Sequence, residues 1–339
     1  MVSVSAPGKI HLIGEHAVVY GKPAILVAVG LRCHVSAEPA DSVSISLRNF
    51  GIKKEFDTGE VMEFGRKIRD LWNSGVSKKN FSGLFSAMKK GKMDTVKAIV
   101  GASLMELNAE KGLSLVIESG VPAGAGMGSS ASLAVCLPRA IAELHGIKLT
   151  KEKNNEIAFK LEQLLHGSPS GGDNTACCYG GAIWFVKGSP PKVESIKGVS
   201  GIKGIVLVNT GEPEKTTGEL VSAVRELEES YRNPRVEELG RLAAEIKGNL
   251  TSQKTDKIGA IMDKAQTILA ELGVSTPEID SFADDVIKAG GHAKLCGAGG
   301  GGVVLCLHKD AGVLKKIAED SGYRYWETEL GAEGVRLEK

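Results

Sequence analysis

Two glycine-rich tracts carry the clearest chemical signal in this sequence. The first, GAGMGSS at residues 124–130, stands between a predicted strand and a predicted helix. Glycines let backbone N–H groups converge on an anion, and the start of a helix adds its dipole. The tract therefore predicts a phosphate-binding loop, with a tight turn capped by Ser129 as the alternative. The second tract, GAGGGG at 297–302, predicts close approach of the backbone to a ligand, with a flexible linker as the alternative.

The sequence lacks the motifs of several familiar classes of nucleotide-binding protein. Gly-Lys occurs at 8–9, 21–22 and 91–92, but neither Ser nor Thr follows, so there is no P-loop motif. The first tract lacks the G-x-G-x-x-G spacing of dinucleotide-binding folds. The H-R-D and D-F-G signatures of protein kinases are absent as well. A phosphate site in this chain is therefore expected to belong to another class of enzyme.

Four charged residues could do chemistry, but each is ambiguous alone. Lys9 and Glu15 lie in APGKIHLIGEHAVVYG, Glu162 flanks the apolar face of a predicted helix, and Asp173 ends the loop HGSPSGGD. Lone lysines and flanking glutamates are mostly solvated charges, and an aspartate before a helix is often its N-cap. The seven histidines form no visible ligand cluster, and no Cys-x-x-Cys motif indicates zinc. Only the joint order of these signals can decide their roles.

The composition is that of an ordinary globular protein. Of 339 residues, 42% are apolar and 24% are charged. The 42 basic and 41 acidic side chains almost cancel, which excludes a nucleic-acid-wrapping surface and a polyacidic tail. No apolar run approaches the roughly 18 residues of a membrane span, and the first residues do not resemble a signal peptide. Six cysteines, two of them adjacent, then favour reduced thiols in a cytoplasmic protein.

The hydrophobic pattern predicts the elements that must position these residues. The predicted elements of the first half are strands at 2–5, 25–38, 43–47 and 113–119, and helices within 61–108, at 129–145 and at 152–166. Pro138 is expected to kink the helix at 129–145 or to end a segment of it. Gly167 is expected to stop the next helix.

The tract KGSPPK at 187–192 is the best candidate for a domain boundary, because two prolines and a glycine interrupt otherwise continuous structure. The predicted elements beyond it are a strand at 205–208, three or four helices in 218–289, a strand at 303–307, a helix at about 310–320 and a short strand near 323–327. The length favours two domains, and the irregular mixture of strands and helices predicts an α+β fold.

Three motifs in order give the chain a resemblance to a known superfamily. They are PGKIHLIGEH near the start, PAGAGMGSSAS at 122–132 and KLCGAGGGG at 294–302. Together they resemble the superfamily of galactokinase, homoserine kinase, mevalonate kinase and phosphomevalonate kinase, the GHMP kinases. The runs GEHAVVYG and HGSPSGGDN are similar to the forms found in its mevalonate kinase family. Met127, where leucine is commoner, and Pro138 are small departures from the pattern.

The resemblance implies a fold and a reaction. It implies an N-terminal ribosomal-protein-S5-like domain, placed at 1–188, and a C-terminal ferredoxin-like domain, placed at 189–339, with the active site in the cleft between them. It further implies transfer of the γ-phosphate of ATP to the C5 hydroxyl of mevalonate with Mg²⁺ as cofactor, in a cytoplasmic enzyme that is often a homodimer. Neither a nucleic acid nor a membrane is expected as a partner.

The resemblance also implies a role for individual residues. Asp173 and Lys9 are implied as the catalytic residues, with Asp173 facing the substrate hydroxyl and Lys9 beside it, and Ser130 and Glu162 are expected to hold Mg²⁺. The residues implied for the substrate site are Glu15, His16, Val19 and Thr217. The residues implied for ATP are Pro122, Gly124, Ala125, Gly126, Met127, Gly128, Ser129, Ser130, Gly299 and Gly300.

Two other functions remain open from the sequence. The same fold could phosphorylate another alcohol, such as phosphomevalonate or a sugar, and assays with several acceptors would separate these. A ligand sensor that has lost catalysis is the alternative from another class of protein. The sequence argues against a sensor, because it retains Lys9, Ser130, Glu162 and Asp173 together.

Overall fold

The computed structural model describes residues 1–88 and 91–338, and within these ranges the chain forms two β-sheets flanked by helices. The strands of the larger sheet are β1 Val2–Ile13, β2 Ala24–Pro39, β3 Val43–Leu47, β4 Ile52–Phe56, β5 Leu113–Ser119, β6 Ala182–Val186, β7 Lys192–Ile196 and, near the C-terminus, β12 Arg336–Leu337. The strands of the smaller sheet are β8 Ile205–Asn209, β9 His292–Leu295, β10 Val303–Leu307 and β11 Arg324–Glu327.

The two sheets have separate strand orders and share no strand. The larger sheet has the order β12-β1-β2-β5-β3-β4, and β6 pairs with β2 and with β7. Its β3–β5 pair is parallel and its other pairs are antiparallel. The smaller sheet has the order β11-β8-β10-β9 and is antiparallel throughout. This mixture of strands and helices confirms the predicted α+β class.

Helices cover both sheets. Those of the first half are α1 Thr58–Lys78, α2 Ser82–Met88, α3 Lys92–Leu107, α4 Ser129–Leu144, α5 Lys151–His166 and α6 Gly172–Tyr179. Those of the second half are α7 Thr217–Glu226, α8 Glu229–Thr251, α9 Ile258–Glu271, α10 Pro277–Lys288 and α11 Ala311–Asp320. One apolar core joins α1–α5 to the larger sheet, and a second joins α7–α11 to the smaller one. The second core also takes in Ile10 and Leu12 of β1, so the first motif packs against both halves.

Most predicted elements are present, and two differences have clear causes. Strand β1 continues to Ile13 instead of stopping at residue 5, because Ile10 and Leu12 are fully buried and keep the extended chain in the sheet. Helix α4 passes through Pro138 and continues to Leu144, so the expectation that this proline ends a segment is wrong. Ala134 and Ile141, on either side of the proline, are fully buried, and this packing outweighs the lost backbone hydrogen bond.

The proline-containing tract at 187–192 lies in a hairpin. It connects β6 to the start of β7, and these two strands pair with each other in the larger sheet. Residues 192–196 therefore belong to the larger sheet, and so does β12 at the other end of the second half. The division of the chain at residue 188 stays a prediction.

The length and polarity of a helix decide whether it could span a membrane. Within residues 1–88 and 91–338, each helix is too short or too polar to cross a bilayer.

Candidate active site

The side chains of Lys9 and Asp173 meet at the centre of the candidate site. Lys9 lies on β1 and is 3% exposed, and Asp173 lies in the first turn of α6. The Nζ atom of Lys9 is 3.0 Å from Oδ2 of Asp173, whose side chain is 37% exposed. The N-cap of α6 is Gly171, so the alternative role of Asp173 as N-cap is wrong. Its carboxylate is instead held beside an ammonium group and stays open on one side.

The electrostatics of the pair favour an ionised carboxylate. Partial burial by itself opposes the charge on Asp173, but the charge and the hydrogen bond of Lys9 outweigh this, so the pKa of Asp173 lies below its usual range. Asp173 is therefore a carboxylate at neutral pH that can accept a hydrogen bond or a proton.

The first glycine tract leads directly into α4 above this pair. Ser129 is the first residue of the helix and Gly128 is its N-cap, so the alternative in which Ser129 caps the helix is wrong. Gly128 has a φ of +71°, and a Cβ at this position would lie 2.9 Å from Cγ of Lys9. The backbone N–H of Lys9 also donates to the carbonyl of Met127 at 2.9 Å. Glycine is thus required where the tract crosses the lysine side chain.

A buried carboxylate and a hydroxyl lie beside the same helix start. Glu162 on α5 is 3% exposed, and Oε1 of its carboxylate has no hydrogen-bond partner. Oγ of Ser130 lies 3.0 Å from Nε2 of His166, which is 3.8 Å from Oε2 of Glu162. Burial, and next the charge of Asp173, raise the pKa of Glu162 to about 8. Burial is also the largest influence on His166, and it lowers the pKa of that ring.

These groups fit a divalent cation. An unpaired buried oxygen needs a partner, and Mg²⁺ takes oxygen ligands from one or two side chains while phosphates and water supply the rest. Among residues 1–88 and 91–338, no group of three or more His, Cys, Asp or Glu side chains could hold a metal by itself. A cation at Ser130 and Glu162 would therefore need oxygen atoms from a bound substrate as well.

The two glycine tracts face each other across a small cavity. The residues that line it are Gly124, Ala125, Gly126, Pro213, Lys215, Thr217, Leu220, Cys296, Ala298, Gly299, Gly301 and Gly302. Thr217 is exposed at the start of α7, next to the N-cap Thr216. Gly300 does not line the cavity, because its N–H donates to the carbonyl of Val274 at 2.8 Å. The cavity is thus lined by glycines of both tracts and by the segment that precedes and begins α7, which includes Lys215.

The remaining sequence-predicted residues differ in how deeply they are buried. Met127 is fully buried and packs in the second core, whereas Pro122 and Ser129 are half-buried. Val19 is half-buried in the short 3₁₀ helix Ala17–Tyr20.

Glu15 and His16 join the first motif to the third. The carboxylate of Glu15 forms a fully buried ion pair with Lys294, and Nζ of Lys294 also donates to the carbonyl of Leu295 at 2.6 Å. Burial raises the pKa of Glu15 in spite of the opposing effect of Lys294. The ring of His16 is 2.8 Å from the carbonyl of Ala298 through Nε2, and burial lowers its pKa. Motifs almost 280 residues apart in sequence are thereby in direct contact.

Sequence reasoning misses two residues of this site. His166 is one helical turn after Glu162 on α5, and that i,i+4 spacing was the available signal. Lys294 carried no signal, because a lysine in a strand-like segment gives no reason to expect full burial.

Fold and site together define a class of protein. Sequence models of the GHMP kinases match the chain in two parts, the N-terminal domain at residues 94–181 and the C-terminal domain at 223–321. The crystal structure of the Methanococcus jannaschii mevalonate kinase superimposes with a TM-score of 0.82 at 24% identity, covering 97% of this chain and 98% of the other. The protein has the two-domain fold of the GHMP kinases and is an enzyme of the kinase class.

Full-length relatives identify the family of this chain within the GHMP kinases. The chain is 33% identical to the mevalonate kinase of Pyrococcus abyssi, over 100% of this chain and 98% of the relative. It is 30% identical to the mouse mevalonate kinase, over 98% of this chain and 94% of the relative. The chain belongs to the mevalonate kinase family of the GHMP kinases.

Proposed function

We propose that the protein transfers the γ-phosphate of ATP to the C5 hydroxyl of mevalonate and forms 5-phosphomevalonate. The observation that carries this proposal is the Lys9–Asp173 pair, which lies beneath the glycine tract that opens α4. Phosphoryl transfer needs alignment of the two substrates and neutralisation of charge more than covalent help from the protein. A backbone loop next to a charged acceptor site supplies both.

Asp173 and Lys9 act on the acceptor alcohol. Asp173 is ionised at neutral pH, so it accepts a hydrogen bond from the C5 hydroxyl and takes its proton as the bond to phosphorus forms. The ammonium of Lys9 stabilises the negative charge that develops on the attacking oxygen. It also keeps the carboxylate of Asp173 ionised.

The glycine tract at 124–130 binds the phosphates of ATP. Its backbone N–H groups lie at the N-terminus of α4, where the helix dipole favours an anion. Gly299 and Thr217, across the cavity, complete the phosphate site, and Lys215 adds a positive charge. Gly300 acts by holding the second tract to Val274 instead of contacting the phosphates.

Ser130 and Glu162 would hold Mg²⁺ together with the phosphates of ATP. When bound, the ion neutralises charge on the phosphates. The unpaired oxygen of Glu162 supports this assignment. The acceptor itself is bound by Glu15, His16 and Val19, which follow Lys9 in the first motif.

A comparison of acceptors tests the proposal. The purified protein is incubated with ATP, Mg²⁺ and one acceptor at a time, namely mevalonate, phosphomevalonate, galactose or homoserine, and ADP release is measured. Mevalonate is expected to be the preferred acceptor by orders of magnitude in kcat/KM. Preference for another alcohol would show that mevalonate is not the substrate. Binding of ATP and mevalonate without ADP release would show that the protein does not catalyse the transfer.

A further inference from the structure

His11 has no role in the mechanism above, although it lies in the first motif. It lies on β1, two residues after Lys9, and its ring is partly exposed. Its Nδ1 atom is buried and has no hydrogen-bond partner. A buried ring nitrogen without a partner is uncommon and calls for an explanation, such as a ligand that completes it.

The strand directs His11 into the same space as Lys9. Lys9, Ile10 and His11 pair in regular register with Ala28, Val27 and Leu26 of β2, so alternate residues share a face. Ile10, between Lys9 and His11, is fully buried in the core on the other face. The accessible part of the His11 ring therefore belongs to the face on which Lys9 meets Asp173.

The surroundings keep this ring neutral. Burial, together with the positive charge of Lys9, lowers the pKa of His11 to about 3, although Asp173 opposes the shift. Lys294 and His16 lie near enough to lower it further. A neutral imidazole has one N–H donor and one acceptor nitrogen, so it can donate to or accept from a hydroxyl group.

We propose that His11 binds the acceptor substrate through a hydrogen bond to its C3 hydroxyl group. Two residues of strand separate His11 from Lys9 by about 7 Å, so His11 reaches a neighbouring part of the acceptor and not the reacting alcohol. In mevalonate the C3 hydroxyl stands two carbons from the C5 alcohol, so it is such a neighbouring part of the acceptor. This assignment rests on the proposed function, because it takes mevalonate as the acceptor.

The test compares two acceptors in two proteins. The wild type and His11→Leu are assayed with mevalonate and with 5-hydroxy-3-methylpentanoate, the analogue that lacks the C3 hydroxyl. The wild type is expected to prefer mevalonate by about 10-fold or more in kcat/KM, the effect of one unpaired buried polar group. His11→Leu is expected to lose that preference by reacting about 10-fold less well with mevalonate, while its KM for ATP stays unchanged.

His34→Leu is the matched control, since His34 is an exposed histidine on the adjacent strand β2. It is expected to retain the wild-type preference. His11→Asn, which keeps a polar atom near the position of Nδ1, is expected to retain part of it, and this variant decides the question if His11→Leu does not fold by circular dichroism.

Three results would overturn the assignment. An undiminished preference for mevalonate in His11→Leu or His11→Asn would show that other groups read the hydroxyl. Equal use of both acceptors by the wild type would show that the hydroxyl is not read. No turnover of mevalonate by the wild type would remove the proposed function itself, and with it this assignment.

Discussion

At the scale of single residues, the carboxyl groups of Asp173 and Glu162 lie in the same site but have pKa values shifted in opposite directions. Asp173 has a lowered pKa because the charge of Lys9 outweighs its partial burial, whereas burial and the charge of Asp173 raise the pKa of Glu162 to about 8. Such divergence assigns different tasks to similar groups. In the proposed mechanism Asp173 accepts a proton, and Glu162 would bind a cation that stabilises its ionised form.

Asp173→Asn tests the first task. The amide keeps the shape and a hydrogen-bonding oxygen but cannot take a proton, so kcat is expected to fall by about 10² to 10⁴. Steady-state ADP release measures the change, and circular dichroism checks the fold. Asp284→Asn, at an exposed position on α10, is the control and is expected to be normal. Near-normal turnover of Asp173→Asn would contradict the role of Asp173 as proton acceptor.

The raised pKa of Glu162 predicts a pH dependence of stability without ATP or Mg²⁺. Between the unfolded value of 4.5 and about 8, the folded protein holds a proton that the unfolded chain has lost. The free energy of unfolding should therefore decrease as pH rises through this window, by an amount on the order of a few kcal/mol.

Urea unfolding at pH 5.5, 6.5 and 7.5 measures this dependence. Glu162→Gln should flatten it, because the amide does not titrate, and Glu152→Gln, exposed on the same helix, should leave it as in the wild type. If the wild type and Glu162→Gln show the same slope, then the carboxyl group is ionised in the folded protein.

At the scale of elements, local pattern predicted more than long-range contact did. The helices α4 and α5 and the strand β5 follow directly from periodicity and from Gly167. The continuation of β1 through the motif could not be predicted, because its cause is tertiary burial of Ile10 and Leu12. The pairing of residues 182–186 with 192–196 could not be predicted either, because prolines between two strands look like a domain boundary.

The candidate site shows the same limit. Lys9, Glu15, Glu162 and Asp173 stand out only through the order of the motifs, and the structure brings Lys9 to Asp173. The partner of Glu15 is Lys294, and no property of either sequence segment indicated this pair. Sequence patterns identify the reactive residue types, whereas their partners depend on how distant strands pack.

The second glycine tract offers a prediction at this scale. Gly299 has a φ of +82°, and an added Cβ would overlap the carbonyl oxygen of Val274, which also accepts from the N–H of Gly300. Gly299→Ala is therefore expected to displace the tract, raise the KM for ATP about 10-fold or more and destabilise the protein by about 3 kcal/mol.

Gly273→Ala is the matched control for that substitution. Gly273 has a similar φ of +74° next to Val274, but an added Cβ would meet open space. Only the backbone cost of about 1–2 kcal/mol is expected, with an unchanged KM for ATP. Equal effects of the two substitutions on the KM would show that the contact with Val274 does not position the tract.

At the scale of the whole molecule, the two halves meet through the first motif. Ile10 and Leu12 of β1 pack in the core that contains the smaller sheet, while the C-terminal strand β12 pairs with β1. The fully buried pair of Glu15 and Lys294 joins β9 to the segment after β1. The contacts between the two halves and the proposed substrate contacts therefore depend on the same short stretch of chain.

The Glu15–Lys294 pair gives the prediction that belongs to this scale. Lys294→Met removes one partner and leaves a carboxyl group buried without its counter-charge, which is expected to cost about 3–5 kcal/mol in the free energy of unfolding. Glu15→Gln combined with Lys294→Met removes both charges and should recover much of that loss. Lys22→Met is the control, since Lys22 pairs with the exposed Glu237 near the surface and should cost about 1 kcal/mol or less. Urea unfolding at pH 7 measures all three; if the double variant is no more stable than Lys294→Met, the cost comes from lost packing of the lysine chain and not from an isolated buried charge.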